Sequence, residues 1–442
     1  MLSSASRGEE IFPVRALKTP LHGGPMYRPS TLAMILAGGR VDELGVLTHY
    51  RPKSAVPFGG FSRVIDFPLS NLLHSGIERI AILSQYRSYS LINHIGTGAA
   101  WDMIGRNRGI SILPPFKDYE NPHWYRGSAD AVYQNLDYIR YYGPSVILIL
   151  SGDHIYQMDY RKMIRYHTEQ DADLTAAFIE VPRESASRFG VAEIAEDSEE
   201  GGRMLSYEEK PAKPKSNWAS LTVLCFRPNV LFDALRKNQA GDSYEFGRDI
   251  IPMLMRENYK VHGYKFRGYW GYTRTIDEYW QTSMDLLGEN PRIDLEAWGI
   301  RTNLAHRGIS DRQPVKLGPR ACLENSMAYN GCIIDGTVRN SILFPGVHVM
   351  AGAEVNDSIL FFDTIVHENA QLHRMVSDVN TVFNRNVTVG RPRCEEVHRV
   401  SVIGWNNNVP EGFRIGCGCT VAPRIDPDRW PATELVDGEE LK

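Results

Sequence analysis

Val347, Ala353, Ile359 and Ile365 fall at steps of six, as do Gly346 and Gly352, and Val349 and Val355. A fixed six-residue step of apolar residues and glycines predicts a parallel β-helix, in which each turn stacks on the last. An irregular β-sandwich would not hold that step over three or four repeats. The period places a coil over residues 316–425 and leaves 426–442 as a tail. Residues 289–315 carry Pro291, Pro314 and scattered charges with poor periodicity, which predicts a linker.

Upstream of the linker the texture is that of an α/β domain, over 31–288. The apolar run Met34-Ile35-Leu36-Ala37 meets Gly38-Gly39, a polar loop follows with Gly59 and Gly60, and a helix is expected around Ile65, Leu69, Leu72 and Leu73. Strand, glycine loop and helix in that order bring bare backbone amides against a phosphate. Ile80 to Leu83 then reads as a second strand, which gives the βαβ pattern of a parallel sheet. The segment from Ser88 to Trp124 reads as loops and short helices. Val146 to Leu150 is five apolar residues in a row, a strand buried on both faces, and it stops at Ser151-Gly152-Asp153-His154. Polar residues at the C-terminal edge of such a strand are where α/β sheets bind ligands. Further strands are expected at 174–181, 221–226 and 259–266, with a hairpin about Gly201-Gly202.

Composition narrows the function classes. A formal net charge of −4 advertises no nucleic-acid or membrane surface. No apolar run approaches the ~18 residues of a membrane span. Residues 1–30 lack a signal peptide's apolar core and read as a flexible leader. Six cysteines in 442 residues suggest no disulfide framework, and Cys417-Gly418-Cys419 alone is weak evidence for zinc. Reduced thiols and a cytoplasmic location are expected. His348, His367, His373 and His398 share no metal-binding spacing.

The motifs LAGG, RPKSAVPFGG, VIDFPLSN, WYRGSADAV, SGDHIY, EEKP and EFGRDIIP, in that order, resemble the glucose-1-phosphate adenylyltransferase family over residues 31–425. The resemblance implies a Rossmann-like nucleotidyltransferase (GT-A-like) domain followed by a left-handed parallel β-helix. It implies that a phosphate oxygen of glucose 1-phosphate attacks the α-phosphorus of ATP, or of another NTP, and that pyrophosphate leaves ADP-glucose behind for glycogen synthesis. Such a site needs donors, cations and Mg²⁺ where charge builds. On this sequence the family's roles fall on Asp153 (catalytic and metal-binding) and Lys53 (facing phosphate). Leu36, Ala37, Gly38, Gly39, Tyr125, Arg126, Gly127, Ala129 and Asp130 are expected at the nucleotide, and Glu209, Lys210, Ser220 and Glu245 at the sugar phosphate. Read without the family, Asp153 could cap a turn, Lys210 could be a solvated lysine before Pro211, and Arg126 could be a stacking residue. His154 reads as a neighbour of Asp153. A homotetramer or a hetero-oligomer with a homologue is also implied, as is an anionic allosteric effector, although Tyr50 stands where the family's effector-binding lysine would be and only Arg51 remains.

Several positions depart from the family. Its first loop reads GGxGTRL, whereas here Val41, Asp42 and Glu43 replace Gly-Thr-Arg. An arginine that neutralises triphosphate has become an acid. Two unit charges 4 Å apart interact by about 1 kcal/mol in water and about 4 kcal/mol near a protein surface, and reversing one doubles the swing. The family's YWRDVGT reads Tyr269-Trp270-Gly271-Tyr272-Thr273-Arg274-Thr275, so the second metal aspartate is Tyr272 and a glycine is Arg274. Ser220-Leu221-Thr222 replaces Ser-Met-Gly. Because the two charge changes have opposite sign, Asp42 or Glu43 is expected to face Arg274 across the site mouth. The exchange allows a rewired enzyme or, alternatively, a catalytically lapsed regulatory subunit that binds sugar phosphate or nucleotide and modulates an active homologue.

Overall fold

The computed structural model describes residues 30–39, 42–116, 123–392 and 399–442. Val41, His398 and all but the last residue of the expected leader lie outside the described residues.

Thr31–Leu36 pairs in parallel with Arg79–Leu83 on one side and with Val146–Ser151 on the other. Alternate residues of the strand enter different cores. Ala33 and Ile35 pack with Ile80, Ile82, Leu148 and Leu150, whereas Leu32 and Met34 pack with Leu83, Ile147 and Ile149. Helices cover both faces, Asp66–His74 and Tyr160–Glu169 on the first, Ser128–Tyr133 and Pro228–Asn238 on the second. That is why the central strands read as unbroken apolar runs. The nine-stranded sheet is mixed: Trp218–Phe226 runs antiparallel to Val146–Ser151 and to Leu174–Glu180, and Val261–Phe266 returns parallel to the latter. Gly190–Ile194 and Gly201–Glu209 form the expected hairpin at one edge.

Two elements differ from the sequence reading. Gly109–Leu113, within the segment read as loops, is a parallel edge strand on Arg79–Leu83. It is half-buried along its length, so it lacks the apolar run of a central strand. Gly59 and Gly60 do not approach the ligand cavity. They turn a hairpin between Pro57–Phe58 and Ser62–Arg63 at φ of 64° and 85°, and a Cβ on Gly60 would collide with the Tyr329 ring of the C-terminal coil.

The C-terminal region is a three-faced parallel β-helix whose strands are two or three residues long. Val338, Val355, Leu372 and Val389 stack in register. Its corners need left-handed backbone, and the same corner is filled in turn by Gly346, Asp363 and Asn380, and another by Gly352, Asn369 and Asn386. Glycine, asparagine and aspartate tolerate that conformation best, so the glycine period continues in disguise. The coil also runs past 425. Glu434–Leu435 and Glu440–Leu441 pair onto Arg414–Ile415 and Thr420–Val421, in the segment expected as a tail. The six-residue step is lost there because a short 3₁₀ turn at Pro427–Arg429 intervenes and Trp430 is buried against Phe413.

The two regions share a core. Leu44, Leu47, Phe58 and Phe67 pack with Phe344, Ile359 and Phe361 of the coil, and Ile293, Leu295, Ile300 and Ile309 of the expected linker are buried with them. Arg51 crosses the same interface to Asp378, 2.8 Å away, both side chains being buried. Cys417 is disulfide-bonded, against the expectation of reduced thiols, while Cys225, Cys322, Cys332 and Cys419 are free. Among the described residues no helix is long and apolar enough to cross a membrane.

Candidate functional site

A cavity of about 720 Å³ opens over the C-terminal ends of Thr31–Leu36 and Val146–Ser151. Its wall brings together Leu36, Ala37, Gly38 and Gly39 from the first strand and its loop, Lys53 from a short 3₁₀ turn, and Asp153. Tyr125, Arg126, Gly127, Glu209, Lys210, Ser220, Glu245, Tyr272 and Arg274 line it too. Residues scattered over most of the first 275 positions thus meet at one strand edge, as an α/β sheet arranges its ligand sites.

Two expected residues stand behind the wall. Ala129 and Asp130 are fully buried and do not line the cavity, because the helix Ser128–Tyr133 turns them toward the core. Asp130 acts through its neighbour: its carboxylate accepts from the Arg126 amide at 3.0 Å and from the Arg126 guanidinium at 2.7 Å. Arg126 also lies 3.7 Å above the Tyr244 ring, so its stacking reading and its place in the wall both hold. Gly127 leaves no room for a side chain, since a Cβ would come within 2.3 Å of the Tyr244 carbonyl oxygen. Glu245 spends one oxygen on the backbone N–H and hydroxyl of Ser128.

At the floor, Lys53 Nζ sits 3.1 Å from Asp153 Oδ2. Burial works against the Asp153 charge, but Lys53, His154 and the Ser151 hydroxyl outweigh it and hold the carboxyl well below the usual carboxylate range. His154 is driven down to about 4 chiefly by burial, so it is neutral at neutral pH. Lys210 follows the strand Gly201–Glu209 with φ of 49°, and its N–H donates to Phe189 O at 3.0 Å. A lysine held in left-handed backbone is strained locally, a condition that persists where the surroundings impose it. Thr222 is a stronger case: a β-branched residue with φ of 52°, at the irregularity between Ser220 and Leu224.

At the mouth, Glu43 and Arg274 meet. The Nε of Arg274 donates to Glu43 Oε1 at 2.7 Å, and a second guanidinium nitrogen lies 2.6 Å from the same oxygen. Both side chains remain partly exposed, at 43% and 36%. Tyr272 packs between the two ends of the site. Its ring centroid is 4.8 Å from that of Phe189 and 5.3 Å from that of Trp270. Lys53 Nζ and Arg188 Cζ stand 5.5 Å and 5.2 Å from the centroid. Burial pushes its hydroxyl above the ordinary tyrosine value, so the phenol stays protonated at neutral pH.

The divalent metal that the resemblance implies meets a donor set that does not fit it. Asp153 is engaged by Lys53 and Ser151, and Tyr272 offers a neutral phenol where a second carboxylate would be needed. Sequence reasoning also missed Arg188, Gln85 and Phe189 in the wall. Arg188 follows a four-residue helix with no motif around it, and Gln85 earns its place only through two hydrogen bonds to the Tyr125 backbone.

Two family models match the chain in succession. Residues 32–289 match the nucleotidyl transferase family model, and residues 315–405 match a GlmU-like C-terminal hexapeptide model. The chain is 38% identical over 433 residues to a glucose-1-phosphate adenylyltransferase of Acetivibrio thermocellus, covering 94% of this chain and 98% of that protein. It is 39% identical over 401 residues to one from Desulforamulus reducens, covering 89% and 98%. Against one from Geobacillus stearothermophilus the identity is 44% over 329 residues, or 73% and 82% of the two chains.

Proposed function

The chain belongs to the glucose-1-phosphate adenylyltransferase family, and on that premise we propose that it is a sugar-1-phosphate nucleotidyltransferase whose cavity takes ATP and glucose 1-phosphate and releases ADP-glucose and pyrophosphate. The observation that carries this reading is Lys53 against Asp153 at the strand edge, in one cavity with Glu209 and Lys210. Leu36, Ala37, Gly38, Gly39, Tyr125, Arg126 and Gly127 form the nucleotide side, and Glu209, Lys210, Ser220 and Glu245 the sugar-phosphate side. A phosphate oxygen of the sugar phosphate attacks the α-phosphorus as the bond to pyrophosphate breaks. Lys53 faces the phosphates, and Asp153 holds Lys53 in place. Side-chain cations stand where negative charge accumulates on the leaving group, which is how a preorganised site lowers such a barrier.

The test is pyrophosphate release by the purified full chain with glucose 1-phosphate and each NTP in turn. Release with ATP that disappears in Asp153→Asn supports the reading; no release with any NTP overturns it.

A second reading, a non-catalytic subunit modulating a competent homologue within a tetramer, is favoured by Tyr272 at the position of the second metal aspartate and by Glu43 closing on Arg274. It predicts no turnover alone but altered kinetics of a co-expressed homologue. Arg51, the residue left for an anionic effector, gives one guanidinium nitrogen to Asp378, while its Nη1 is buried without a hydrogen-bond partner.

A further inference from the structure

Around Tyr272 the cavity brings three side-chain cations together. Lys53 and Arg188 flank its ring, and Arg274 donates toward its hydroxyl oxygen at 3.5 Å. Lys210 lines the same cavity. Each of the three around Tyr272 has an acid partner, Asp153 for Lys53, Glu43 for Arg274 and Glu278 for Arg188 at 2.6 Å, and Glu209 and Glu245 line the cavity as well. A divalent ion beside Asp153 would have to displace Lys53 and would find the neutral phenol of Tyr272 in place of a second carboxylate. A phosphate group would instead find guanidinium donors whose acid partners, Glu43 and Glu278, are partly exposed and can be exchanged for it.

We infer that this cavity binds its phosphate ligand on the side-chain cations Lys53, Arg188, Lys210 and Arg274, without a divalent metal ion. The inference rests on the proposed function and concerns the same cavity. Arg188 and Arg274 supply the charge that a metal ion would bring, as fixed groups with planar donors that match phosphate oxygens. Glu43 holds Arg274 at the mouth until a phosphate competes for the guanidinium. Because that pair is partly exposed, solvent screening leaves it open to displacement.

Calorimetric titration of the full chain with ATP, and separately with glucose 1-phosphate, in excess EDTA and in excess Mg²⁺ tests this. The expected result is binding in both buffers with dissociation constants within about threefold of each other. Arg188→Gln is expected to weaken binding in EDTA by about tenfold or more, the scale of one charge-assisted hydrogen bond. Electron paramagnetic resonance of Mn²⁺ added to the glucose 1-phosphate complex is expected to show free ion only, and Tyr272→Asp to acquire a bound-ion signal. Binding that appears only with Mg²⁺, or tightens about tenfold with it, overturns the inference and leaves the proposed function standing. A bound Mn²⁺ signal in the unaltered chain overturns it equally. Binding of neither ligand in either buffer overturns the proposed function, and the inference with it. If Tyr272→Asp does not fold, the two-buffer titration on the unaltered chain still decides.

Discussion

Two ion pairs bracket the cavity, and they differ more in setting than in chemistry. Lys53–Asp153 lies at the floor with the lysine 3% and the aspartate 27% exposed, and Glu43–Arg274 lies at the mouth with both partners more open. At the floor the lysine is shut off from water, so losing Asp153 would strand its charge. At the mouth water screens the attraction and the pair can part at little cost. A change at the floor should therefore cost more than one at the mouth. Glu43 and Arg274, read from the sequence as departures, meet at the mouth, and Lys53 and Asp153, read as matches, meet at the floor.

The largest effect that would break this contrast is at the floor. Lys53→Met is expected to lower pyrophosphate release by about 10²–10³-fold, the scale of removing one preorganised donor, as read in a coupled phosphate assay. If Glu43→Gln proved equally damaging, the distinction between floor and mouth would fail. Next comes the other buried pair. Arg51→Met strands Asp378 in the interface between the sheet domain and the coil, and is expected to cost about 3–5 kcal/mol in urea unfolding.

Acid should sharpen the contrast. His154 is driven down to about 4 by burial, and His167 likewise. Between pH 6.5 and about 4 the unfolded chain therefore takes up protons that the folded chain refuses, so stability falls as pH falls through that window and is level above it. Glu43 is held below its ordinary value and stays ionised over most of that range. Thermal melts should show the fall in the unaltered chain, and His154→Gln should reduce it.

A smaller effect is expected at Thr222→Gly, which relieves a β-branched residue from left-handed backbone and should stabilise the chain by about 1 kcal/mol in the same melts. Smallest is Glu43→Gln. Its cost in unfolding is expected to stay below about 1 kcal/mol, while titration should find phosphate ligands bound slightly more tightly once Arg274 is released.

How much of this was legible beforehand depends on distance along the chain. The coil could be read because each turn repeats the demands of its neighbour, and it became unreadable where asparagine and aspartate took over glycine corners or where Trp430 broke the step. The central strands could be read because both faces are buried and every residue must be apolar. The edge strand Gly109–Leu113, half-buried, carried no such signal. In the site, Asp153 announced itself by following a buried strand, whereas Arg188 had no local pattern to betray it.

The amino-acid order by itself determined the two architectures, the strand edge that carries the site, and the opposite charges of Glu43 and Arg274. Periodicity and strand ends are local properties, and charge complementarity needs no coordinates. Only the tertiary structure decided that Gly59 and Gly60 serve the interface, that Asp130 stands behind Arg126, and that Lys53, Arg188 and Arg274 gather around Tyr272. Those outcomes join positions far apart in the chain, and packing alone sets which of them meet.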